Sequence, residues 1–521
     1  MATIGITDAW ATRAAEQPTY VLSRWLFLRL LGVVYLVAFL SLLPQVTGLV
    51  GEHGLLPARV FLQSAHATFG SRAYRLFPTV CWLGAGDAML VTLCWTGVAL
   101  AALLIAGVAQ APVLMLLWIC YLSLSVVGQT FLWFQWDGLL LETGLLAVLF
   151  APTQLLPSLV RERVPLMAPR WLMWGLLFRL MVLSGATKLA SGDPTWRHLT
   201  ALDYHFWTQP LPPWTAWYAQ RLPEWMHRGM TAAILAIELF VPMLIFLPER
   251  WRRARYAACA LLVLGQLGIT LTGNYGFFNL LALVLCVPLL DDAPLRRVVP
   301  VRRTAGDPEP RWRMYAINGL APVFALLATL AFAREIVQTL PGTRRAFSNP
   351  LLGVVEPLRS VNGYGLFRVM TTDRLEIVIE GSNDTLQWRE YAFRWKPGDV
   401  TRRPRFVAPH MPRLDWQMWF AALNPEGARD WLVTLLRRLL EGTPEVLALV
   451  GPTPFPDRPP RYVRLVYYRY RFTDAAGRAA GGAWWRRERL GYLTRPLSIA
   501  DFGPPPPPPP PPPRPPRPPP R

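Results

Sequence analysis

Cysteine is scarce: five residues in 521, at Cys81, Cys94, Cys120, Cys259 and Cys286, none of them after position 286 and none in a CxxC pair. A disulfide framework for the C-terminal third and thiol-exchange chemistry are thereby excluded. Histidine is scarce too, with six residues and no HxH or HxxxH spacing. His198 and His205 lie seven apart around Asp203, and His53, His66 and His227 fall on the same expected face of the membrane, yet no spacing suits a tetrahedral zinc site. No metal or cofactor is assigned. Nucleophile elbow, phosphate loop and metalloprotease helix are all missing, so no catalytic residue is assigned either. Nor is there an internal repeat of the kind found in transporters. Charged residues make up only 17% of the chain.

What is abundant is apolar surface, at 53% of residues, in runs close to bilayer length. Candidate spans lie at about 25 to 46, 87 to 108, 111 to 128, 131 to 150, 170 to 190, 229 to 248, 254 to 273, 276 to 290 and 314 to 333. The shortest are 111 to 128 and 276 to 290, and "GAGD" before Ala88 fits a half-inserted segment. The first run carries Arg29 and has no small-residue cleavage site, so it is expected to be a span and not a signal peptide.

The net charge of +20 does not indicate nucleic acid, because the arginines cluster beside apolar runs and in the C-terminal region. "PERWRRAR" (Arg250, Arg252, Arg253, Arg255), the segment 291 to 313 (Arg296, Arg297, Arg302, Arg303, Arg311, Arg313) and Arg161, Arg163 and Arg170 are expected on the cytoplasmic side. Nine spans then put the N-terminus inside, and the loops 48 to 79 and 191 to 228 outside with everything after residue 334.

Beyond the spans, "RLEIVIEG", "YAFRW" and "YVRLVYYRYRF" alternate like half-buried strands, and "ARDWLVTLLRRLLEG" fits a helix stopped at Gly442. "IEGSNDTLQWREY" is similar to the strand and turn pattern of galactose-binding jelly rolls. The fold expected is an α-helical polytopic membrane domain of about nine spans, followed by a C-terminal extracytoplasmic β-rich, sandwich-like domain with helical insertions. The divisions are a cytoplasmic N-terminus (1–24), the multispan domain (25–333), a linker (334–350), the β-rich domain (351–500) and a polyproline tail (501–521). The tail forms an extended helix, as a spacer or as a ligand for a proline-recognising module.

Ionisable groups inside spans need partners or a cavity. Gln135, Asp137 and Glu142 share one candidate span, Arg179 and Lys188 another, and Glu238 a third. Interhelical pairing, such as Arg179 with Asp137 or Glu142, is the main expectation, with Lys188 reaching toward the outer surface. The alternative is a polar cavity lined by Asp137, Glu142, Arg179 and Lys188, in which a membrane enzyme would act on a lipid or lipid-soluble cofactor. The outer loop "SGDPTWRHLTALDYHFWTQPLPPW" offers Trp196, His198, Asp203, Tyr204 and His205. Its rings, with Trp207, Trp214, Trp217 and Tyr218, suit a lid at headgroup level. "LTGNYGFFNLL" adds Asn274, Tyr275 and Asn279 at a tight hairpin that could meet a headgroup or a client.

"FLWFQWDGLLLETGLLAVLFAP", "KLASGDPTWRHLTALDYHFWTQPLPP", "LTGNYGFFNLL", "VNGYGLFRVMTTDR", "EIVIEGSNDTLQWREY", "RPRFVAPHMPRLDWQMWFAAL" and "NPEGARDWLVTLLRRLLEGTPEVLALV" resemble the lipase maturation factor family, in order from about residue 20 to 496. The resemblance implies a multispan protein that helps secreted lipases reach their active, assembled state, with its large C-terminal domain lumenal and, in animals, in the endoplasmic reticulum. The arginine- and alanine-rich composition and the cysteine-free C-terminal domain point to a bacterial member, hence to an inner membrane. The membrane half distantly resembles vitamin K-dependent carboxylases. On the family reading the partners are a lipase-like secreted client and membrane lipids, with no nucleic acid and oligomeric state unassigned. Client contacts are expected from Asn362, Tyr364, Asn383, Asp384, His410, Asp415 and Trp416, although for Trp388, Trp416 and Trp419 individually a place in the core is the main expectation. Asn383 to Thr385 is a glycosylation acceptor where the compartment glycosylates.

Overall fold

The computed structural model describes residues 19–300, 309–340 and 349–503. The proline run of the tail, Arg302 and Arg303, the first eighteen residues and positions 341–348 of the expected linker therefore lie outside the described residues.

Nine helices match the nine apolar runs. They are α1 (Val21–Leu42), α2 (Asp87–Ala106), α3 (Gln110–Val127), α4 (Gln135–Phe150), α5 (Met167–Ala190), α6 (Glu224–Leu239), α7 (Arg252–Thr272), α8 (Phe278–Cys286) and α9 (Arg311–Thr339). Seven segments have the length and apolarity to cross a bilayer: α1, α2, α3, α5 and α9, and α6 and α7 with the short turns next to them. The two exceptions are α4, with 16 residues, and α8, with nine. At a rise of 1.5 Å per residue these reach about 24 and 14 Å, short of the roughly 30 Å hydrocarbon layer. A 3₁₀ turn, Val287–Leu289, extends α8. The apolar runs located these nine helices; the run at 276 to 290 is short as expected, whereas that at 111 to 128 fills 18 helical residues and the unexpectedly short helix is α4.

Composition explains their surroundings. Helix α1 is apolar all round and sits in the middle of the bundle, whereas α9 leaves Leu320, Val323 and Leu326 exposed. A helix apolar on every side must be covered by protein or by lipid. Glycines let α1 and α2 approach closely, because a Cβ on Gly97 would overlap the Phe39 ring and one on Gly32 would press on Ile105. Pro242 ends the α-helical part of α6 and starts the 3₁₀ turn Val241–Phe246.

Consecutive helices alternate in direction. At one end, Asp292 accepts from the Thr19 hydroxyl (2.6 Å) and the Leu22 amide (2.8 Å), and Arg24 pairs with Glu162 at 2.8 Å. At that same end Arg255 reaches Glu249 (2.7 Å) and the Tyr20 hydroxyl (2.9 Å), and Arg313 holds Glu309 at 2.8 Å and the Leu149 carbonyl at 3.1 Å. The starts of α1, α7 and α9 thus meet the ends of α4 and α8. The opposite end carries the C-terminal region.

That region is a single four-stranded antiparallel sheet in the order β2-β1-β3-β4, with β1 Arg374–Ser382, β2 Arg389–Glu390, β3 Tyr462–Phe472 and β4 Trp485–Tyr492. Helices α10 (Arg413–Leu423) and α11 (Arg429–Glu441) pack on it, and Gly442 ends α11 in the left-handed conformation (φ 69°). The expected sandwich has no second sheet among the described residues. "YAFRW" contributes no strand past Glu390, although Tyr391 and Phe393 are buried.

Strand β1 is also not half-buried as its alternation suggested. Both faces are covered, and Arg374 and Glu376 are as inaccessible as Ile377 and Ile379. The reason lies outside the domain. The outer loop lies on the charged face, where Arg374 donates to the carbonyls of Trp207 (2.9 Å), Pro210 (2.8 Å) and Gln209, and Glu376 bridges Arg374 and Lys396 at 2.7 Å each. One apolar core runs from the bundle into the sheet domain, with Trp136 packed edge-on to Trp416 at 4.9 Å and Phe131 to Trp431 at 5.9 Å.

Candidate functional site

The polar residues picked from the spans are brought to the half of the bundle nearer the sheet domain, each with its own partner. Arg179 pairs with Glu142, which also accepts from the Tyr364 hydroxyl (2.7 Å) and the Asn362 amide (3.1 Å). Asp137 takes a different partner. Arg413, the first residue of α10, donates to both of its oxygens at 2.8 and 3.0 Å, while the Tyr121 hydroxyl donates at 2.5 Å. Lys188 does not extend to the surface: it donates to both oxygens of Glu238 at 2.5 and 2.6 Å, 5.0 Å from the centre of the Trp196 ring. Gln135 accepts from the Gly365 amide at 3.2 Å.

These pairings count against the intramembrane enzyme site. Asp137, Glu142, Arg179 and Lys188 do not line one cavity. Glu142 and Arg179 border a space between α5 and α9, Lys188 and Glu238 border another between α5, α6 and α7, and Asp137 is closed under Arg413. Neutralised pairs of this kind fix helix register.

The aromatic loop is a joint and not a lid. Trp196, Trp207 and Trp217 are buried, and Trp207 and Trp217 share a cluster with Phe472, Trp484 and Trp485 of the sheet domain, against which Tyr204 packs half-buried. Trp196 donates to the Phe367 carbonyl at 3.0 Å, and among the rings expected to form a lid only Tyr218 is exposed. Asp203 holds His227 at 2.8 Å, and His198 is exposed with no metal-ligand cluster around it among the described residues.

The hairpin 273–277 is fastened similarly. Asn274 uses all four of its bonding positions: it donates to the carbonyls of Leu211 and Arg405, both at 2.9 Å, and accepts from the amides of Val407 (2.8 Å) and Ala408 (3.1 Å). Gly276, at φ 56°, turns the chain beneath Met411. Asn279 donates to Gln266 at 2.8 Å inside the bundle. Tyr275 bonds both Gln209 and His205 at 2.9 Å, and burial, with Lys188 nearby, pushes His205 down to about 4.

The expected client contacts divide. Tyr364, Asp415 and Trp416 are buried and unavailable to a partner. Asp415 accepts from the amides of Trp395 (3.0 Å) and Lys396 (2.8 Å), and burial pushes its carboxyl up to about 6. Asn362 is committed to Glu142, and His410 bonds Ser41 at 2.9 Å. Asn383 and Asp384 are exposed on the turn after β1, where Asp384 accepts from the amides of Leu386 and Gln387 at 2.9 and 2.8 Å. Beside that turn the Arg464 guanidinium stacks on Trp388 at 3.8 Å and on Tyr492 at 4.5 Å, and Leu386 is 83% exposed.

Two family models match this chain, the lipase maturation factor transmembrane domain over residues 22–297, which takes in α1 to α8, and the lipase maturation factor C-terminal domain over 360–495, which takes in the sheet. The chain belongs to the lipase maturation factor family. Human lipase maturation factor 2 is 36% identical over 92% of this chain and 83% of its own length. Bovine lipase maturation factor 1 is 36% identical over 93% of this chain and 90% of its own. No solved structure matches.

Sequence reasoning missed the residues that join the two halves of this lipase maturation factor family member. Arg413, Arg374 and Arg359 are buried cations in the C-terminal domain. Arg359 donates to the Ser125 hydroxyl and the Leu132 carbonyl (2.9 Å) between α3 and α4. Their partners lie more than 160 positions away in sequence, so no local spacing announces them.

Proposed function

We propose that this protein is an integral membrane maturation factor that holds a secreted lipase-like client at the outer membrane surface while the client folds or assembles. The observation that carries the reading is the combination of 36% identity to proteins named lipase maturation factor over nine-tenths of the chain with a sheet domain packed on one end of the bundle. Nine crossings, α4 and α8 included, put the N-terminus in the cytoplasm. The alternating helix ends support that count. So do Arg161, Arg163, Arg250, Arg252 and Arg253, which gather at the end away from the sheet domain. The C-terminal domain then faces a periplasm or an endoplasmic reticulum lumen.

The client surface is the sheet face carrying Leu386, Trp388, Arg464 and Tyr492. Tryptophan, tyrosine and arginine around an exposed aliphatic group match the composition that dominates protein interfaces. The test is co-expression of the full chain with a secreted lipase, reading lipase activity per unit of secreted lipase protein. The protein should raise this ratio, and a Leu386→Asp/Trp388→Ala/Tyr492→Ala variant, present in the membrane at equal abundance, should return it to the level without the protein. No change on adding the intact protein would refute the maturation role. A fully active triple variant would refute only the surface.

A further inference from the structure

A cavity of about 450 Å³ lies between α5, α6 and α7, closed at its outer end by the aromatic loop and by Leu366 and Phe367. Its size and largely apolar wall are those of a small-molecule site. It is open toward the bilayer: Leu264 on α7 is 62% exposed, Leu261 beside it is exposed, and a Cβ placed on Gly268 would meet nothing.

The polar end of the cavity defines what fits. Lys188 and Glu238 neutralise each other there. Gln209 donates its amide N–H groups to the Phe206 (3.2 Å) and Thr272 (2.7 Å) carbonyls, so its oxygen must accept from the Tyr275 hydroxyl. With its proton so used, Tyr275 accepts from His205 Nε2. His205 is then the neutral tautomer with an unprotonated Nδ1, an acceptor without a partner among the described residues, and burial keeps the ring uncharged. Gln266, whose oxygen takes the Asn279 amide, has an amide N–H₂ without a partner among the described residues. The cavity therefore offers one acceptor and one donor with no net charge. A carboxylate would face Glu238 and the His205 lone pair, and an ammonium would face Lys188.

We propose that this cavity binds an uncharged lipid bearing a free hydroxyl, drawn from the bilayer between α6 and α7, with the hydroxyl donating to His205 Nδ1 and the chain lying against Ile237, Leu264 and Ile269. Acylglycerols, sterols and long-chain alcohols share this chemistry. Binding is a property of the membrane half and does not depend on a client.

The experiment uses the full-length protein in phosphatidylcholine nanodiscs with a diazirine-bearing monoacylglycerol as probe, followed by peptide mapping. Saturable labelling within residues 224–272 is expected. Unlabelled oleoylglycerol should compete, and its di-O-methyl ether should compete about tenfold less well, the value of one hydrogen bond to a buried acceptor. Gly268→Phe should abolish labelling. His205→Phe should keep labelling but erase the preference for the hydroxyl over the ether, a ratio that a purely structural role for His205 would leave unchanged. This second variant keeps the test decisive should Gly268→Phe fail to fold. Competition by cholesterol assigns the site to sterols and its absence to acylglycerols, either of which supports the proposal. Equal competition by the ether, stronger competition by oleic acid, or labelling that never saturates would overturn it.

Discussion

Replacing Asp137 by asparagine removes the charge around which Arg413 is fitted. Both side chains are about 1% exposed or less, and the guanidinium makes two bonds to the carboxylate, one to the Phe131 carbonyl (2.7 Å) and one to the Tyr121 hydroxyl (3.3 Å). Asparagine leaves a buried cation uncompensated, which costs about 3–5 kcal/mol. Arg413→Met leaves the carboxylate stranded at similar cost. The double variant Asp137→Asn/Arg413→Met keeps a side-chain oxygen for the Phe134 amide and the Tyr121 hydroxyl and strands only the Phe131 carbonyl and the new amide N–H₂, at about 1–3 kcal/mol each. It should therefore be less damaged than the sum of the two single variants by about 3 kcal/mol. Native-state proteolysis with thermolysin in mild detergent measures this, because cleavage at the seam follows the population of the open form when closing is fast. Each single variant should be cut about two to three orders of magnitude faster than the parent protein. Cleavage of Asp137→Asn within about threefold of the parent, or strict additivity in the double variant, would refute the claim that this pair holds the domain down.

Gly97→Ala should lower stability by about 1–3 kcal/mol, because the new methyl group meets the rigid Phe39 ring, and a lowered midpoint of thermal unfolding in nanodiscs checks this. His205 is held near 4 against about 6.5 in an unfolded chain. Its contribution is fully present above pH 6.5 and is lost as the pH falls from 6.5 toward 4, by up to about 3 kcal/mol, and His205→Gln should flatten that part of the stability profile. Expressed in a cell with a glycosylating lumen, the exposed Asn383 should carry a glycan, seen as a gel shift removed by endoglycosidase and absent in Thr385→Ala; no shift would count against the proposed orientation. All five cysteines are free and buried, so a maleimide should label the protein only after denaturation, and reductant should leave its unfolding midpoint unchanged.

Helix positions were legible because an apolar run of bilayer length has few other fates. The run that became α4 looked equivalent to the rest, since hydropathy does not record where a helix is cut short by packing. The Glu142 with Arg179 pairing followed from the cost of burying charge, which leaves few choices within a bundle. What was hidden is whatever depends on contact between distant segments. Strand β1 alternates like a surface strand, yet its charged face is covered by a loop that precedes it by more than 160 residues. "WWRRERLGY" gave no signal for β4 because an edge strand open to solvent can carry charge at nearly every position. Tyr364 and Trp416 looked like contact residues because a ring for a core and a ring for a partner have the same composition.

The seating of Arg413 on Asp137 also has a consequence for biogenesis. The ribosome delivers all nine apolar helices before it makes residue 413, so for that interval the bundle holds a carboxylate whose counter-ion does not yet exist. Glu142 likewise waits for Asn362 and Tyr364. Chains ended by a premature stop anywhere before α10 are thus expected to be insertion-competent but recognisably unfinished, and to be cleared by membrane quality control instead of persisting as a working transmembrane half. Truncations that remove α10 and all that follows it should then behave genetically as null alleles.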